Sequence, residues 1–78
     1  MDAELDQVVV GIRKYLLEFP HAADTVDGIA AWWLARDLPG VSAIQVERAL
    51  ELLLATGFVR TRRLGDGTVI YALGKADA

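Results

Sequence analysis

The chain has 78 residues, 54% of them apolar, and carries eight Lys/Arg against eleven Asp/Glu for a net charge of −3. A chain this short makes one domain with a single shared core, with no room for a doubly wound sheet or a barrel. The apolar fraction excludes intrinsic disorder, and no apolar run approaches the ~20 residues of a membrane span. There is no Cys, which removes disulfides, zinc fingers, iron–sulfur clusters and thiol catalysis. One His (His21) and one Ser (Ser42) leave little for a nucleophilic triad, and no glycine-rich phosphate loop occurs. The expectation is a binding protein and not an enzyme, with no cofactor and no metal. The acidic start, Met1 to Asp6, does not read as a secretory or transit signal, so a cytoplasmic location is expected.

The first helix is expected over 3–19. Leu5, Val8, Val9, Ile12, Leu16 and Phe19 recur at three- and four-residue steps; Asp2 can cap this helix and Pro20 stops it. His21 to Asp24 reads as a short connection. A second helix is expected over 25–36, opened by Asp24 or Thr25, with Val26, Ile29, Ala30 and Trp33 on one face. At 100° per residue Trp32 falls about 120° from that face, so Trp33 reads as core and Trp32 as a boundary residue. Asp37-Leu-Pro-Gly breaks this helix.

The third helix, over 43–56, has the clearest start in the chain. Ser42-Ala-Ile-Gln45 is a capping box, and Val41 with Val46 can form a hydrophobic staple around it. Val46, Ala49, Leu50 and Leu53 form its buried face, and Gly57 ends it as a left-handed C′ residue. Two strands follow, 58–64 and 68–73, around Gly65-Asp-Gly67. A three-residue loop with a bulge would pair Val59 with Leu73, Thr61 with Tyr71 and Arg63 with Val69; a two-residue Asp66-Gly67 turn would change those pairs. In both registers Arg60 and Arg62 share a face. Residues 74–78 read as a loose tail.

The resulting class is α+β and mostly helical: a three-helix core followed by a two-stranded antiparallel hairpin. Gln45-Val-Glu-Arg-Ala-Leu-Glu-Leu-Leu-Leu-Ala-Thr-Gly-Phe-Val59 resembles the recognition-helix stretch of winged helix-turn-helix proteins, which often reads T-V-x-R-x-L-x-x-L-x-x-x-G-L-I. Ile29-Ala30 with Trp33 is similar to the helix before it, and Tyr71-Ala-Leu73 to the second strand of the wing. The resemblance covers residues 3–74 and implies a winged helix, small, bacterial in type and dimeric.

The resemblance implies double-stranded DNA as partner and a role in transcription regulation, with the third helix in the major groove. Carried over, the DNA-contacting candidates are Ser42, Ala43, Gln45, Glu47 and Arg48, with Arg60, Arg62 and Arg63 of the wing on the phosphate backbone. Each has a plainer reading. The capping box accounts for Ser42 and Gln45 without a ligand, Arg48 can pair with Glu47 or Glu51, and a charged strand keeps a sheet edge soluble.

A second function class stays open, a winged helix that holds a protein and does not bind DNA. The acidic total, Glu47 and Glu51, and the apolar Ile44, Leu52 and Leu54 off the core face favour it. Trp32, Ile44, Leu52 and Leu54 are the candidate partner or homodimer surface, and Val10 and Leu17 of the first helix are another. A continuous positive stripe along the third helix and wing would point to DNA. An apolar patch among acids would point to a protein.

Overall fold

Every third or fourth residue of the first helix is apolar, and the computed structural model, which describes residues 3–74, buries that stripe. Helix α1 (Ala3–Glu18) places Val8, Ile12 and Leu16 in the core, with Leu5 and Val9 packed at its margin. Phe19 lies just beyond the helix and stays half exposed, its ring against Tyr15 at 4.8 Å. The expected cap, Asp2, lies outside the described residues.

The connection after α1 is not merely a loop. Ala23–Asp24 forms a short strand, β1, which pairs antiparallel with the last strand through Ala23↔Ala72 and Asp24↔Tyr71. The sheet therefore has three strands where two were expected. A two-residue strand has too little sequence to show an alternating pattern, and its pairing depends on a partner some fifty residues away in the chain.

The second helix also departs from expectation. Thr25 caps its start, the Oγ1 accepting from the N–H of Gly28 at 3.1 Å. It opens as one α-helical turn (Val26–Gly28) and continues as a π-helix (Ile29–Trp33); the two together are labelled α2. The expected helix over 25–36 thus stops at Trp33. The N–H of Leu34 donates to the carbonyl of Ile29 at 3.2 Å, five residues back. The wider turn carries Leu34 into the core, where it is 1% exposed, and leaves Trp32 75% exposed, further out than a boundary residue. Trp33 is buried as expected, its ring stacked on Tyr15 at 4.7 Å.

Helix α3 (Ala43–Ala55) begins and ends where its local chemistry dictates. The capping box is formed in both directions, Gln45 N–H to Ser42 Oγ and Ser42 N–H to Gln45 Oε1, each at 3.2 Å. At the other end Gly57 has φ +80°. Phe58 N–H reaches back to Leu53 O and Gly57 N–H to Leu54 O, both at 3.0 Å, the paired bonds of a Schellman end. Val46, Ala49, Leu50 and Leu53 are buried against α1 and α2.

Strands β2 (Val59–Arg63) and β3 (Val69–Leu73) complete a sheet of order β1-β3-β2. The register is that of the three-residue loop: Val59↔Leu73, Thr61↔Tyr71, Arg63↔Val69, with Arg60↔Ala72 and Arg62↔Ile70 between. Gly67 at φ +91° supplies the left-handed residue, its N–H donating to Leu64 O at 2.9 Å. Gly74 is not loose: its N–H donates to Phe58 O at 2.7 Å, and the rest of the expected tail lies outside the described residues. The molecule is thus a small α+β fold in which three helices and a three-stranded antiparallel sheet share one core. Among the described residues no helix is long and apolar enough to cross a membrane.

Candidate functional site

Helix α3 and the β2–β3 hairpin carry most of the candidate residues. Two of them are used up in holding the helix start. The Ser42 hydroxyl and the Gln45 amide close the capping box, and Gln45 Nε2 also donates to Glu4 Oε1 at 3.2 Å. That bond ties the first turn of α3 to the first turn of α1. A Gln engaged at both ends of its amide has little capacity left for a base edge.

With the buried stripe of α3 set against the core, helical geometry turns Ile44, Arg48, Glu51 and Ala55 outward in one line. All four are exposed, Ile44 to 65%. Glu47 and Leu54 lie to one side of that line and Leu52 to the other; Leu52 and Leu54 are also exposed. Arg48 forms no ion pair with Glu47 or Glu51. The outward face of α3 thus carries one positive and two negative charges among exposed aliphatic side chains. Ala43 sits exposed at the start of the helix.

The three hairpin arginines do not act on one surface. Val59 is buried, and Tyr71 and Leu73 pack on the core, so the face of Val59, Thr61 and Arg63 is the one turned toward the helices. Arg60 and Arg62 project from the opposite face with Ile70 and Ala72. There they border a groove of about 200 Å³ with His21 and Ala23, and among the described residues no carboxylate lines it. Arg60 is steadied by its own sheet, its Nε donating to Leu73 O at 3.2 Å. Asp66 at the hairpin tip is engaged locally: its Oδ1 accepts from Thr68 N–H at 2.9 Å, which holds its carboxyl below the usual range. The positive charge of the hairpin is therefore split between the two faces of the sheet.

The fourth partner-surface candidate, Trp32, is not part of the α3 surface. It lines a groove of about 350 Å³ between α1 and α2, together with Lys14, Tyr15, Glu18, Phe19 and Arg36. Sequence reading missed this groove. Tyr15 of α1 and Phe19 just beyond it keep the same four-residue step as the core residues of that helix, and nothing local shows that α2 leaves a gap beside them. Val10 and Leu17 are exposed on α1, to 61% and 63%. Among the described residues no cluster of His, Cys, Asp or Glu is arranged to hold a metal ion.

Compared with known proteins, the chain matches no protein-family model and no curated protein.

Proposed function

We propose that this chain is a winged-helix interaction module whose third helix holds a partner protein. The fold reading is supported by the order of three helices followed by a hairpin, and by the Gly57 helix end leading directly into Phe58 and Val59. The observation that carries the function is the outward face of α3, with Ile44, Leu52 and Leu54 exposed around Glu47 and Glu51. Exposed aliphatic side chains in contact with water gain free energy when a partner covers them. Two carboxylates beside them repel a polyanion and suit a partner with a basic rim. The partner's chemistry is therefore an apolar ridge flanked by Lys or Arg, such as one face of an amphipathic helix.

One observation favours a second reading, DNA binding in transcription regulation: Arg60, Arg62 and Arg63 are all exposed on the hairpin. Three phosphate contacts would give a log–log salt slope near −2.7, at about 0.9 per neutralised phosphate.

The test sets the two readings against each other. The tagged chain and its Ile44→Ser/Leu52→Ser variant are cross-linked in an extract of the source cells, and the untagged chain is titrated with generic duplex DNA at low and moderate salt. The expected result is one protein retained by the wild type and lost by the variant, with no DNA binding. DNA binding at low salt that survives Ile44→Ser/Leu52→Ser and is lost in Arg60→Ala/Arg62→Ala/Arg63→Ala would overturn the protein reading.

A further inference from the structure

The face of α1 that points away from the core has its own order. At 100° per residue, Ala3, Asp6, Lys14 and Leu17 all lie within about 40° of Val10. All five side chains are exposed. Along the helix the face runs small, acidic, apolar, basic, apolar, and the two charged residues stand four positions either side of Val10.

That spacing prevents the two charges from meeting within the chain. Eight residues of helix separate them by about 12 Å along the axis, well beyond the one-turn reach of a side-chain pair. Neither has an ion-pair partner among the described residues, although Lys14 borders Glu18 and Asp37. Between them Val10 stands 61% exposed, and Leu17 63%.

We infer that this face is a self-complementary interface and that its occupant is the α1 helix of a second copy of the chain, packed antiparallel about Val10. A two-fold axis through Val10 sets Asp6 of each copy opposite Lys14 of the other, and sets Leu17 opposite the small Ala3. This is the isologous arrangement in which one patch serves both partners. The parallel arrangement stacks Asp6 on Asp6 and Lys14 on Lys14, so charge selects the antiparallel one. The contact extends past the helix. The depression beside Val10 is lined by Asp6, Gln7, Gly11, Lys14, Asp37 and Leu38, and Gly11, Lys14 and Asp37 also line the groove whose far wall is Trp32. The interface uses no residue of α3 or the hairpin, so it stands apart from the partner surface proposed above.

Sedimentation of the full chain over a range of concentration and salt tests it. The wild type is expected to dimerise reversibly, more weakly as salt rises. Asp6→Lys and Lys14→Asp are each expected to sediment as monomers where the wild type is dimeric, because each puts like charges in register. A one-to-one mixture of those two variants restores both opposite-charge pairs and is expected to dimerise again. Circular dichroism establishes that each variant is folded, and Val10→Ala supplies a variant with no change of charge, expected to weaken the dimer while leaving the helix intact. A wild type that stays monomeric throughout, single charge variants that dimerise like the wild type, or a mixture no better than its components would each overturn the inference. Dimerisation unchanged in Ile44→Ser/Leu52→Ser separates this interface from the α3 surface.

Discussion

The backbone N–H of Leu34 bonds to the carbonyl of Ile29, five residues earlier, and this one wide turn decides which side chain of α2 enters the core. In an α-helix Leu34 would rotate off the face shared by Ile29 and Trp33. The π turn advances the chain by less rotation per residue, so Leu34 follows Trp33 inward and Trp32 is left in solvent.

Leu34 and Trp32 should therefore respond in opposite ways to truncation. Leu34→Ala is expected to cost about 2–5 kcal/mol, as for other fully buried leucines. Trp32→Ala, although it removes a much larger side chain, is expected to stay within about 0.5 kcal/mol of wild type, since its ring is mostly in water. Urea denaturation of the two variants at one protein concentration checks both.

At the start of α3, Ser42→Ala is expected to cost about 1 kcal/mol, because it leaves the Gln45 N–H without its acceptor. Ser42→Asp keeps an acceptor at the same place, next to the positive end of the helix, and is expected to restore most of that stability. Thermal or urea unfolding of the pair distinguishes a capping role from loss of side-chain volume.

Gly28 is required by its neighbour. A Cβ at this position would fall on the Asp24 carboxylate, which accepts from Thr25 N–H at 2.8 Å. Gly28→Ala should thus destabilise the chain even though Ala is the better helix residue by about 1 kcal/mol. Asp24→Ala in the same chain removes the obstruction, so the double variant is expected to be less destabilised than the two single changes added together. A double-mutant cycle by denaturation gives the coupling.

The Asp66 carboxyl is held below its usual range by the hydrogen bonds from Thr68, the backbone N–H foremost. A depressed folded value means that the bond contributes above the unfolded carboxyl value and is lost as pH falls through the lower folded one. In an NMR titration the Thr68 amide should move with an inflection below that of an unpaired Asp. Asp66→Asn should remove that inflection, and an inflection at the ordinary Asp value in the wild type would contradict the hydrogen bond.

How much of this was legible beforehand follows the range of the interactions. The α3 boundaries and the hairpin turn depend on contacts between residues three apart, Ser42 with Gln45, Gly57 with Leu54, Gly67 with Leu64. Each carries a residue type that only that geometry needs. The candidate surface was legible only as a set of residues. Ile44, Leu52 and Leu54 could be placed off the core from helical spacing, but that Trp32 would lie apart from them, beside α1, could not.

What the amino-acid order determined alone is thus the local grammar: both ends of α3, which stripe of each helix is apolar, and the strand alternation that sets Arg60 and Arg62 on one face. The tertiary structure decided the rest. It recruited Ala23–Asp24 as a third strand, widened α2 into a π turn, and chose the hairpin register that pairs Val59 with Leu73 over that of a two-residue turn. The physical reason is that these features are stabilised by groups distant in the chain. A two-residue strand has no pattern of its own, and a π turn persists only where the neighbouring core has room for the side chain it turns inward.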